Sequence, residues 1–183
     1  DLSQTYHCLY FNLEMTEKQL LSRLVSINSE IPMKYFSHPE TDYQNSRIKE
    51  STEKIAKRNI RIITGSQTIR SIRNEIVRSC KDYHMIVFID YIGLVQTNEK
   101  FQSIYERVTS IVKELRRISL DYNCTIFIAS QINRNSEKEK DKRPKISDLK
   151  ESGELEQSGT TVIMLHNDNP MASSDKPAEI QVI

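Results

Sequence analysis

Short, solidly apolar runs alternate along this chain with longer stretches whose apolar residues return every third or fourth position. The runs Cys8 to Leu13, Met85 to Ile89 and Cys124 to Ser130, with the shorter Asn59 to Thr64, have the length and unbroken hydrophobicity of core strands. Between them lie helical stripes. Thr16-Glu17-Lys18-Gln19 has the form of a capping box, and Leu20, Leu21, Leu24, Val25 and Ile27 continue it as a helix from about Glu17 to Ser29, closed by Pro32. Tyr43 to Lys57 offers only Ile48 and Ile55 among many charges, which predicts a solvated surface helix. Ile69, Ile72, Ile76, Val77 and Cys80 form the next stripe, and Ile104, Val108, Ile111, Leu115 and Ile118 another, between about Phe101 and Asp121. Strands alternating with helices in this way predict right-handed crossovers and a mainly parallel α/β sheet flanked by helices.

Past the last of these strands the pattern changes. Arg134 to Lys145 (RNSEKEKDKRPK) holds no apolar residue and has nothing to bury against the entropy of ordering, so a mobile loop is expected over about 133–147. Thr161 to His166 and Ala178 to Ile183 read as two late strands joined by a Pro/Ser/Asp-rich turn, a pairing compatible with an antiparallel hairpin. No internal repeat is visible.

Composition narrows the function classes modestly. The chain of 183 residues fits one domain. Lys+Arg 26 against Asp+Glu 25 gives a net charge of +1, which excludes a global basic field and leaves any nucleic-acid contact to local charge. The apolar stretches fall far short of the roughly 20 residues of a membrane helix, and the amino terminus lacks the basic and apolar regions of a leader. A cytoplasmic location follows. Cys8, Cys80 and Cys124 are odd in number and widely spaced, fitting a reducing compartment, and the four histidines show no zinc-ligand spacing with them.

Three of the apolar runs end in a polar side chain, and ligands of open parallel sheets bind at that margin. Asp90 closes Met85 to Ile89; one rigid carboxylate suffices to position Mg²⁺, which keeps several waters, against phosphates, although an Asp that merely opens a loop has the same appearance. Glu14 follows the first run and could serve as the base that deprotonates an attacking water, or simply favour the dipole of the helix that starts beside it. Gln131 ends the third run with a donor and an acceptor on one amide, suited to a terminal phosphate or to idle backbone groups. In Asp148 to Gln157 (DLKESGELEQ), Lys150 is placed to touch a phosphate and Gly153 permits exposed amides, the means of sequence-independent strand binding; a solvated turn is the alternative.

Together these segments resemble the ATPase domain of DnaB-type replicative helicases, which has a RecA-like fold. FNLEMT (Phe11 to Thr16) is similar to the family's F-S-L-E-M, VFIDYIGL (Val87 to Leu94) to its Walker B strand, SQINR (Ser130 to Arg134) to S-Q-L-N-R, and DKRPKISDLKESGELEQ (Asp141 to Gln157) to D-K-R-P-x-x-S-D-L-R-E-S-G-x-I-E-Q. The matches are collinear over nearly the whole chain. The resemblance implies ATP and Mg²⁺ as cofactors, Glu14 as catalytic glutamate, Asp90 as the Walker B aspartate that holds Mg²⁺ largely through water, and Gln131 as phosphate sensor. It implies that Lys150, Glu151 and Gly153 line a channel and grip single-stranded DNA. It also implies a ring homo-oligomer, a hexamer, working with primase and a helicase loader, and no membrane.

The chain departs from that pattern in three places. Lys150 stands where the family often has Arg, which keeps the charge but loses bidentate phosphate geometry. The Walker A form G-x-x-x-x-G-K-[ST] does not occur in the sequence, and the arginine finger of a K-x-R-N-G segment would fall just past Ile183. A partial motor domain, inactive alone, is therefore expected. Two other readings stay open: a different RecA-like ATPase, or a non-hydrolysing single-strand-binding adaptor of a replisome or phage.

Overall fold

The computed structural model describes residues 2–80, 84–132, 143–149, 153–167 and 180–182. A four-stranded parallel sheet is built from β1 (His7–Asn12), β2 (Ile60–Thr64), β3 (Met85–Asp90) and β4 (Cys124–Ile128), in the order β2-β1-β3-β4. The helices are α1 (Glu17–Ser29), α2 (Asp42–Ala56), α3 (Ile69–Ser79), α4 (Ile104–Asp121) and the short α5 (Gly153–Ser158). A separate antiparallel pair, β5 (Leu165–Asn167) with β6 (Ile180–Val182), forms the late hairpin. The sequence expectation of a mainly parallel α/β sheet with such a pair holds. β5 starts at Leu165 rather than Thr161, because Ile163 stands 56% exposed and 161–164 pair with no described strand.

The chain steps from β1 outward to β2, then back across β1 to β3 and on to β4. With right-handed crossovers, the connection that leads one way and those that lead the other lie on opposite faces of the sheet. The core shows this division. Leu9, Phe11, Met85, Val87 and Ile89 bury one sheet face against Ile72 and Ile76 of α3 and Val108, Ile111, Leu115 and Ile118 of α4. The other face carries Tyr10, Phe88 and Phe127, opposite one another in register on β1, β3 and β4. Their rings stack at 5.8 Å and 5.1 Å between centroids.

Local chemistry sets the helix ends. Thr16 Oγ1 accepts from the Gln19 amide and Gln19 Oε1 accepts from the Thr16 amide, closing the box read in the sequence. Thr68 and Ser71 make a second box at the start of α3. α2 is as solvated as its composition predicts: only Ser51 is buried, donating to the Val25 carbonyl of α1 at 3.2 Å, and Glu50 pairs along the surface with Arg47 and Lys54. In α1 the buried arc runs through Leu20, Val25 and Ser29. Ile27 falls at its edge and is 76% exposed, so the predicted stripe is one residue too wide. Cys8 and Cys124 are buried strand residues, and burial pushes the Cys124 thiol up to about 11, leaving it a small hydrophobe.

Ile76→Ala, which empties space between α3 and the sheet, is expected to cost about 3 kcal/mol in urea unfolding, whereas Ile27→Ala should change stability by less than about 0.5 kcal/mol. Equal losses would contradict the assignment of the core face.

Candidate active site

Parallel pairing sends every carboxyl end to one margin of the sheet. Asn12 stands opposite Asp90, and Ile89 opposite Ile128. Backbone hydrogen bonds continue beyond the strands: Leu13 N–H donates to the Asp90 carbonyl at 2.9 Å, Ala129 N–H to Ile89 at 2.9 Å, and Ile92 N–H to Ala129 at 3.0 Å. Glu14 directly follows Leu13, and Gln131 lies two residues past Ala129. Glu14, Asp90 and Gln131 therefore share one rim, on three adjacent strands whose outer members are about 10 Å apart at the usual strand spacing. The crossovers after β1 and β3 lie on opposite faces of the sheet, the arrangement in which open α/β sheets take ligands beyond the strand ends, and Glu14 and Asp90 stand at the ends of those two strands.

The residue beneath Glu14 explains how it is held. Asn12 is fully buried, at 0% exposure, inside an otherwise apolar strand. Its Nδ2 donates to the Met15 carbonyl at 2.8 Å and its Oδ1 accepts from the Met15 amide at 3.1 Å. Both ends of a buried amide are thereby satisfied, and the turn carrying Glu14 is fixed between β1 and the Thr16 cap. Glu14 itself is exposed, and among the described residues no hydrogen bond or ion pair engages its carboxylate.

Asp90 is half-buried, and its Oδ2 accepts from the Tyr10 hydroxyl at 3.0 Å. Burial first, and then the charge of Asp90 and this hydrogen bond, push the Tyr10 phenol up to about 12. At neutral pH the hydroxyl is a donor. The Asp90–Tyr91 peptide is cis. Beyond it, Ile92–Leu94 form a 3-10 turn, and Arg107 of α4 donates to the Gly93 carbonyl at 3.0 Å and the Val95 carbonyl at 3.4 Å. Asp90 offers the hard oxygen that Mg²⁺ takes. Among the described residues no group of three or more His, Cys, Asp and Glu gathers, and an ion completed by water and phosphate oxygens needs none.

Gln131 is exposed, three residues past the end of β4. One residue on, Ile132 forms an antiparallel bridge with Leu149, which draws the start of DLKESGELEQ to the rim. Lys150 and Glu151 lie outside the described residues. Gly153 opens α5, where an added Cβ would sit 3.4 Å from the Tyr105 hydroxyl of α4. α5 is tied to α4 by Lys113–Glu154 at 3.5 Å, by Arg116 donating to the Ser158 carbonyl at 2.8 Å, and by Leu155 packed on the core.

Asn12 and Tyr10 are the site residues that the sequence reading missed. A lone Asn inside an apolar run is a signal, since a buried amide must find partners; Tyr10 gives none, its partner lying 80 residues away.

Residues 2–183 match the family model described as DnaB-like helicase C terminal domain. The chain is 30% identical over 165 residues to the replicative DNA helicase DnaB of Mycoplasma genitalium, covering 88% of this chain and 35% of that protein. It is 29% identical over 172 residues to DnaB of Rickettsia bellii, covering 92% of this chain and 34% of that protein. The chain thus spans about a third of the length of these relatives. Among solved structures, a DnaB-like replicative helicase described together with its interactions with primase superposes with a TM-score of 0.87 at 21% identity, over 98% of this chain and 48% of that one. A second solved structure, described as an ATPase domain, superposes with a TM-score of 0.86 at 22% identity, over 98% of this chain and 71% of that one.

Two measurements probe the rim. Asn12→Ala should speed hydrogen exchange of the Met15 amide about tenfold, in proportion to one lost hydrogen bond of about 1.4 kcal/mol; an unchanged rate means that the turn is held by something else. Asp90→Asn removes a negative charge beside Tyr10, so its phenol should ionise below about 12 yet stay above 10, because burial persists. A pH titration of phenolate absorbance reads this, and an upward shift would reverse the assigned causes.

Proposed function

The chain belongs to the DnaB-like helicase C-terminal domain family and has its RecA-like core, and from that premise we propose that it is the motor core of a replicative DNA helicase, coupling hydrolysis of Mg-ATP to movement along single-stranded DNA. The observation that carries the reading is the shared rim: a carboxylate on a turn that the buried Asn12 holds just past β1, a second carboxylate at the end of the neighbouring β3, and an amide three residues past β4.

Each group has one task in this reading. Asp90 would hold Mg²⁺ through the ion's waters, and the ion would offset charge on the phosphate oxygens. Glu14, exposed and unpaired among the described residues, accepts the proton of the attacking water. Gln131 contacts the terminal phosphate, and its position one residue before the Ile132–Leu149 bridge links that contact to the strand-binding segment. Lys150, Glu151 and Gly153 belong to that segment, with Lys150 supplying a backbone-phosphate contact indifferent to base sequence. A ring of identical subunits, a hexamer, would close such segments around one DNA strand, with primase and a loader as further partners. No helix among the described residues is long and apolar enough to cross a membrane, and a cytoplasmic setting accompanies replication.

In the helicase that carries this domain, Glu14→Ala should lower ATP turnover roughly a thousandfold while ATP affinity stays within a few fold, because a base serves the transition state and not the ground state. Equal losses of affinity and turnover would refute the assignment. Lys150→Ala should weaken single-strand binding at all sequences and lower the slope of log K against log salt by about 0.7; a change confined to duplex DNA would remove Lys150 from the channel.

A further inference from the structure

We propose that Tyr10 is a positioning residue for a metal at Asp90: its hydroxyl occupies Oδ2 and so leaves Oδ1 as the oxygen that would face the ion and its waters. The inference rests on the reading of Asp90 as the Mg²⁺-associated carboxylate.

Three observations carry it. The hydroxyl donates to Oδ2 at 3.0 Å, across the β1–β3 strand pair. A carboxylate at a strand end rotates about its Cβ–Cγ bond unless one oxygen is held, and an outer hydrogen bond of this kind sets which lone pairs face the metal. The ring that supplies the hydroxyl is itself held, lying opposite Phe88 in the β1–β3 register and stacked on it with 28° between planes, while Phe88 stacks on Phe127 with 16° between planes. Three aromatic rings thus buttress one hydrogen bond. Tyr10 meets Asp90 and not Glu14 because alternation along β1 puts positions 10 and 12 on the same sheet face as Asp90, whereas Leu9 and Phe11 enter the core on the other. No other described side chain hydrogen-bonds to Asp90.

The role differs from a packing role in what it moves. Tyr10→Phe keeps the ring and deletes only the donor, so folding should be retained and the thermal midpoint should change little. In the helicase that carries this domain, the Mg²⁺ concentration for half-maximal hydrolysis should rise about tenfold, within the range found when an outer partner of a metal ligand is lost. Mn²⁺ binding to the complex with a non-hydrolysable ATP analogue, followed by electron paramagnetic resonance, should weaken by the same factor, with nucleotide affinity in EDTA unchanged. Asp90→Asn serves as the reference. If Asp90→Asn abolishes Mn²⁺ binding and Tyr10→Phe leaves it and the Mg²⁺ dependence unaltered, the positioning role is overturned and the reading of Asp90 stands. If Asp90→Asn leaves Mn²⁺ binding intact, both fall together. A loss of nucleotide affinity in EDTA equal to the loss of Mn²⁺ affinity would also overturn the proposal, since it would show a general disturbance of the pocket.

Discussion

Parallel pairing of β1 with β3, with Asn12 opposite Asp90, is the constraint on which the rest of the rim depends. Residues alternate between faces along a strand, so a slip of one position would exchange the two faces entirely. Leu9 and Phe11 would leave the contact with α3 and α4, Tyr10 would enter it, and Asn12 would no longer stand opposite Asp90. Burial of the aliphatic face against two helices is what forbids that slip. The chemistry at the margin is thus registered by hydrophobic packing several residues below it.

The direction of the connections adds a second constraint. Neighbouring strands whose crossovers lie on opposite faces leave the margin beyond their ends to ligands, here where β1 turns into α1 and β3 into the loop before α4. The polar groups beside that margin are held in different ways. The Asn12 bracket spans three residues and fixes a turn; Tyr10 spans 80 and fixes a carboxylate. A local bracket forms with the strand that contains it, while the long-range bond exists only once the sheet has assembled.

That difference also explains how far the sequence could be read. β1 and β3 were legible because strands covered on both faces are written as unbroken apolar runs, β4 because it carries such a run although Thr125 and Phe127 stand exposed, and α1 because its cap spells out its own hydrogen bonds. Glu14, Asp90 and Gln131 were legible as the residues where those runs stop. Strand order was not, since nothing local records that β1 lies between β2 and β3. Ile27 and Ile163 misled because an apolar residue reports a preference for burial, while the partner that would cover it belongs to another part of the chain. Tyr10 was hidden for the same reason, being one aromatic among several until its hydroxyl meets Asp90.

Arg107 gives α4 a part that its buried stripe alone does not reveal. Its guanidinium staples the Gly93 and Val95 carbonyls, just past β3, to the helix, and six and nine residues further along Lys113 and Arg116 staple α5. At 1.5 Å per residue those attachments lie about 9 and 14 Å from Arg107 along one helix. α4 thus ties the turn after β3 and α5 to one helix, by contacts that do not pass through the sheet.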